Sequence, residues 1–395
     1  MAGDDTRIAA LDHIRGLSVL GILAVNAIAF AQPSDVYMDP ALSRLPLKHA
    51  DIVSWWAVET FGRNKFVALF SLLFGISLYL VGRGQDEREP FWKGPLFRRL
   101  AWLCLFGLIH GALIWHGDIL LNYALTGFVM WRWRHVAAER LLAVGAMSFL
   151  GGAAIICSQG LLAMPGELPP PHQAADDLAT IAAMRGDFLS SMLGNLAAWS
   201  HGVVGNLIGF FPTTLGLMML GLSLFKTGVL TGEAKTRVYL GLVAAGVVSL
   251  ILIGIQNAVI AAEGFPIVRM LGVYAIANTV LCLPVALGYA SALVLISRIQ
   301  LGKLLLYPLG AVGRMAFTNY LMQSIVMTMI FYGGRGPGLY GSLDHASLWP
   351  FVIVLWVAQL IVSPLWLMVF RYGPFEWVWR SMTQGRPAAM LKAAA

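Results

Sequence analysis

Charge is what this chain has least of. Asp, Glu, Lys and Arg make up 12% of its 395 residues, about half the share found in soluble domains. That shortage excludes an ordinary water-soluble enzyme. Cysteine is scarce as well. Cys104, Cys157 and Cys282 all fall in apolar runs, so neither a disulfide framework nor a cysteine-rich metal site is expected. There is no phosphate-cradling P-loop and no HExxH stretch, and GRGQ at 82–85 reads as a loop instead of a dinucleotide fingerprint. Asp and Glu are almost missing from the apolar runs themselves, which leaves few carboxylates for an intramembrane proton path.

What fills the space is apolar: 58% of residues are hydrophobic and 42 are glycine. Several apolar runs are about 20 residues long, enough to cross about 30 Å of hydrocarbon. Ten spans are predicted, over about 13–31, 64–82, 96–116, 118–132, 139–163, 203–225, 237–262, 270–297, 305–332 and 349–371. The first carries charges at its start and no small-residue cleavage site, so it reads as a retained helix and not a signal peptide. With the N-terminus inside, twenty of the 27 Lys and Arg fall in cytoplasmic segments. This bias places both termini in the cytoplasm. It also accounts for the net charge of +7 without nucleic acid as a partner. The fold class is therefore an all-α polytopic membrane protein with about ten transmembrane helices, forming one membrane-embedded domain over 1–395. Residues 1–163 and 203–395 form its two helical parts. The segment 164–202 between them begins PGELPPPH, then spaces Leu178, Ile181, Phe188, Met192, Leu196 and Trp199 as an amphipathic helix on the outer face. A second outer loop, 32–63, holds His49, Asp51 and Trp55–Trp56.

Polar side chains inside a membrane are costly and usually face the bundle interior. On the first helix, Asp12 and Arg15 share a face. Asn26 lies eleven residues past Arg15, nearly three turns, on the same stripe about 16 Å along the axis. The third helix opens LFRRL with Arg98 and Arg99, reaches His110, and turns at His116 and Asp118. Asp118 and Asn122 share a face of the fourth. The ninth repeats the layout of the first, with Arg314 below and Thr318, Asn319 and Gln323 above. Gln256, Asn257, Asn278 and Thr279 add polarity on helices seven and eight, while Pro212 and Pro284 mark expected kinks. The spacing of His110, His116 and Asp118 is not diagnostic of a metal, and no metal site is expected.

Several of these stretches are familiar together. RxxxLDxxRGxxxLGILxxN (Arg7, Leu11, Asp12, Arg15, Gly16, Leu20 to Leu23, Asn26) resembles the N-terminus of the YeiB-like family of bacterial inner-membrane proteins. So do NKFVALFSLLFG (Asn64 to Gly75), RRL…GLIHG with its GDIL sequel, GRMAFTNYLMQS (Gly313 to Ser324) and RYGPFEWVWR (Arg371 to Arg380). The family is similar in turn to the transmembrane acyltransferase superfamily, which includes the lysosomal enzyme that acetylates heparan glucosamine. The shared opening is Asp–x–x–Arg–Gly with an Asn ten residues after the Gly, here Asp12, Arg15, Gly16 and Asn26. In that enzyme the Asn position belongs to the active site, and a His eleven residues further on is catalytic. Here that place holds Tyr37, leaving His110, His49 or Asp118 as substitutes. The resemblance implies an inner-membrane location and acyl transfer from a cytoplasmic donor such as acyl-CoA to an outer-face acceptor, with no tightly bound cofactor.

Three functions follow as expectations. In a transferase, Arg15, Arg98, Arg99 and Arg314 attract the polyanionic donor. His110 with Asp118 deprotonates the acceptor. Asn26 and Gln323 donate to the oxyanion, each worth about 3–4 kcal/mol of barrier. Asp12, Asn122, Thr318 and Asn319 line the substrate path. A transporter would use the same stripe as a route for a small or lipid-like solute, and a non-enzymatic subunit would fill the cavity with lipid. Membrane lipids are partners in every case, and glycine-rich faces suit a homo-oligomer.

Overall fold

The computed structural model describes residues 9–37, 39–83, 90–161 and 174–392. Arg7 and Arg88 of the charge tally, Gly84 and Gln85, and the PGELPPPH run lie outside them. Among the described residues the chain forms α-helices and no strand. They are α1 (Ala9–Ala31), α2 (His49–Phe61), α3 (Lys65–Gly82), α4 (Pro95–Ile109), α5 (Leu120–Met130), α6 (Ala138–Leu161), α7 (Ala174–Arg185) and α8 (Phe188–Lys226). There follow α9 (Thr236–Ala262), α10 (Ile267–Leu271), α11 (Val273–Val280), α12 (Cys282–Ser297), α13 (Gln300–Arg314), α14 (Ala316–Phe331), α15 (Trp349–Val369) and α16 (Pro374–Gln384).

Among the described residues eight helical segments are long and apolar enough to cross a membrane, and the protein is multi-pass. The other two expected spans are shorter pieces. The fourth is α5, of 11 residues. The ninth is split, because Met315 leaves helical geometry (φ −110°, ψ 28°) between α13 and α14. The expected outer helix also divides. Leu178 and Ile181 sit on α7. Phe188, Met192, Leu196 and Trp199 open α8, which runs unbroken through Pro212. Asp187 starts α8 by accepting the Ser190 N–H at 2.8 Å. Pro284 falls in the first turn of α12, where its missing N–H costs nothing.

The centre of the bundle is α1, with 17 of its 23 residues buried. It packs on α3, α13, α14 and α15, so the first and last parts of the chain share one interior. Lipid tails give little drive for apolar helices to associate, so close backbone approach matters more. Glycine supplies it reciprocally. A side chain on Gly16 would run into the Leu309 carbonyl, and one on Gly313 into the Asp12 carbonyl, where α1 crosses α13. Gly75 and Gly221 make the same exchange with the Met218 and Leu72 carbonyls, where α3 crosses α8.

Gly16→Val should therefore destabilise the protein by at least the about 1–3 kcal/mol of an overpacked core. Gly151, on α6 with nothing near its Cα, should accept valine with little change. Thermal melting of both variants in detergent checks the contrast. Equal melting temperatures would contradict the packing account.

Candidate functional site

Two cavities lie end to end along α1. The first, about 280 Å³, has walls from α1, α3, α4, α14 and α16. Four guanidinium-bearing residues line it: Arg15, Arg99, Arg314 and Arg380. Arg15 also holds Asp12 at 3.0 Å. The Arg99 guanidinium lies 3.7 Å above the Trp379 ring, and that of Arg380 lies 4.7 Å above Tyr372, contacts that fix a flexible cation over an aromatic face. One acid faces them. Glu376 accepts the backbone N–H groups of Phe317 (2.7 Å) and Thr318 (3.0 Å) and the Thr318 hydroxyl, so it caps the restarted helix α14. Its burial raises the carboxyl above the usual glutamate range, against the lowering effect of the Thr318 bonds. Glu376, Trp379 and Arg380 all line this cavity because they are three and four apart on α16.

The second cavity, about 350 Å³, lies toward the other end of α1. Its polar lining includes Asn26, Asn64, His116, Asp118, Asn122 and Asn206, among Trp115, Trp199, Tyr37 and Phe66. The two cavities share three wall residues, Ile22, Ile119 and Tyr123, which form a septum one side chain thick. Tyr123 is pinned there, its hydroxyl 2.9 Å from that of Ser71.

A helix end sets the second cavity. After Ile109, α4 widens into one π turn, His110–Ile114, closed by Trp115 N–H to the His110 carbonyl at 2.8 Å. The last carbonyls of a helix have no partner within it. Two side chains from distant elements supply donors. Asn195 of α8 donates to Gly111 and Ala112 at 2.9 and 3.0 Å and accepts the His116 N–H at 2.7 Å. Arg335 donates to Leu113 and Ile114 at 2.8 and 3.0 Å. The chain then turns so that His116 and Asp118 face the cavity. The Nδ1 of His116 and Oδ1 of Asn122 are buried without a hydrogen-bond partner, which leaves them for whatever enters.

The expected site residues divide into three groups. Asn26, Asp118 and Asn122 come together at the second cavity, and Arg15, Arg99 and Arg314 at the first. His110 lines neither. It is buried, 2.9 Å from Asp118 and with its ring 5.2 Å from that of Tyr320, so it stands between a wall residue of each cavity. Asp118 also caps α5, accepting from Leu120 and Leu121. The rest are occupied elsewhere or point away. Gln323 bonds Val19 and Gln359. Asn319 bonds Val312 and Ser363. Thr318 bonds Glu376. Asp12 is tied to Arg15, and Arg98 is exposed. Part of the reason is the break at Met315, which frees backbone groups there: Asn319 donates to the Val312 carbonyl, and Glu376 accepts the Phe317 and Thr318 N–H groups. Among the described residues no group of three or more His, Cys, Asp or Glu could hold a metal ion. Sequence reasoning missed Glu376 and Arg380, although RYGPFEWVWR contains both. It also missed Asn195 and Arg335, which no local pattern marks.

A family model described as a protein of unknown function (DUF418) matches residues 224–386. The chain is 33% identical over 400 residues to the uncharacterized protein YeiB of Escherichia coli (strain K12), covering 95% of this chain and 96% of that one. It is 33% identical over 408 residues to the uncharacterized protein YxaH of Bacillus subtilis (strain 168), covering 95% and 94%. An uncharacterized 39.9 kDa protein in the amylase 3' region of Bacillus acidopullulyticus is 26% identical over 394 residues. Similarity at this level along nearly the whole length places the chain in the YeiB-like family.

Proposed function

We propose that this protein is an inner-membrane acyltransferase that takes an acyl group from a cytoplasmic thioester such as acyl-CoA and passes it to an acceptor at the outer face. The observation that carries the reading is the pair of cavities back to back. One is rich in arginine and the other in amides, and Ile22, Ile119 and Tyr123 line both. Arg15, Arg99, Arg314 and Arg380 suit the phosphates of a polyanionic donor. The acyl end then reaches the septum. There the acceptor oxygen or nitrogen attacks the thioester carbonyl carbon, the C–S bond breaks, and the thiolate leaves toward the arginines.

His116 fits the role of proton acceptor better than His110, because it faces the second cavity. Burial, against a bond to Asn195, pulls its pKa down to about 4, so the imidazole is neutral near pH 7 and has an acceptor nitrogen for the proton, though burial also makes it a weak base. That proton goes on to the departing thiolate. Asn26 would donate to the oxyanion, and the His110–Asp118 pair would hold the turn. A transporter is the second reading, favoured by the broken helix α13–α14 beside a charged cavity.

Purified protein in vesicles, given acyl-labelled acyl-CoA and membrane extract, should yield covalently labelled acceptor. Arg99→Gln should raise the donor KM at least tenfold. Ile22→Trp, which crowds the wall shared by both cavities, should cut turnover more than it raises the donor KM. Passage of an unmodified solute with no acyl product would replace this reading with transport.

His116 also predicts a pH dependence. Its folded pKa, about 4, lies below the ordinary histidine value of about 6.5, so the unfolded chain binds more protons below pH 6.5. Its contribution to stability is complete above pH 6.5 and is lost as pH falls toward 4, on the order of 3 kcal/mol at most. Burial depresses His345 likewise, so wild type should lose stability over this window and His116→Gln should lose less. Melting curves in detergent from pH 7.5 to 4 test this, and an unchanged slope in the variant would refute it.

A further inference from the structure

Beside the second cavity lies a chamber of about 160 Å³ with no part in the transfer scheme. The two share Asn64 and Phe210. Its polar side is made by Glu59, Arg63, Asn64, Asn257, Asn278 and Thr279, and Ile156 and Met270 supply apolar wall.

The charges around it do not balance. Glu59 and Arg63 are paired at 2.6 Å, with side chains 7% and 12% exposed. Directly behind them is Lys65, fully buried. Its Nζ bonds two neutral oxygens, the Glu59 carbonyl at 2.6 Å and Asn278 Oδ1 at 3.1 Å. From Asn278 the polarity runs inward as a chain, through Asn257 to the Thr60 hydroxyl. Among the described residues one carboxylate, Glu59, thus stands beside two cations, Arg63 bonded to it and Lys65 held by neutral oxygens. An uncompensated buried cation is expensive, and neutral dipoles offset that cost less well than an anion does.

We infer that this chamber is a binding site for a phosphate-type oxyanion, seated against Arg63, Asn64 and Asn278, whose negative charge balances the Glu59–Arg63–Lys65 cluster. A free phosphate ion and the phosphodiester head of an anionic lipid present the same chemistry. The apolar wall at Ile156, Phe210 and Met270 leaves room for the start of a lipid tail. The site stands independently of the acyl-transfer reading.

The test uses the full-length protein in nanodiscs of phosphatidylcholine, titrated with inorganic phosphate, and in nanodiscs containing phosphatidylglycerol, with retained lipid counted by native mass spectrometry. Wild type should bind one oxyanion per chain. Saturation by inorganic phosphate assigns a free ion, and selective retention of phosphatidylglycerol assigns a headgroup. Lys65→Met should weaken binding at least tenfold. Glu59→Gln removes the competing negative charge but keeps an acceptor for Arg63, so it should tighten binding several-fold. A cluster that only holds helices together would not produce opposite signs. Absence of binding by wild type to either probe overturns the proposal, and so does weaker binding by Glu59→Gln. Should Lys65→Met fail to fold, Glu59→Gln alone decides.

Discussion

A backbone carbonyl or N–H without a partner costs several kcal/mol where water cannot reach. This protein interrupts its helices inside the bundle, and at two of the interruptions side chains from distant elements answer the exposed groups, while at one a neighbour on the next helix does so. Asn195 and Arg335 receive the π turn after α4. Glu376 receives the start of α14, and Asn319 receives the Val312 carbonyl near the end of α13. Both cavities sit beside these repairs. The breaks make the space, and the repairs decide which polar groups are left to face it.

Electrostatics separates the two spaces. The cavity toward the start of α1 gathers arginines around a single carboxylate that is already occupied as a helix cap. The cavity toward the other end gathers amides, a histidine and aromatic rings. The layout suits a reaction that needs a charged reactant at one end and a neutral one at the other, which is the ground on which we propose acyl transfer over passage of one solute through both.

The sequence made part of this site legible and hid the rest for a definite reason. Arg15 and Asn26 share a helix, so periodicity alone puts them on one stripe, and each lines a cavity. Arg314 and Gln323 share an apolar run in the same way, but Met315 breaks the helix between them. After the break the stripe no longer holds, and Gln323 turns to Val19 and Gln359. His110 was legible as the partner of Asp118. That His116 and not His110 would face the cavity was not, because it depends on a π turn held by residues 79 and more positions away.

Composition and periodicity by themselves determined that this is an all-helical, multi-pass membrane protein and that α1 carries a polar stripe. These follow from hydrocarbon thickness and the 3.6-residue turn, which act locally along the chain. Tertiary structure alone decided where helices break, which polar groups are used up in mending them, and that Glu59, Arg63 and Lys65 meet in one buried cluster. Those outcomes depend on which distant donor reaches which orphaned acceptor, and no repeat in a linear sequence records that distance.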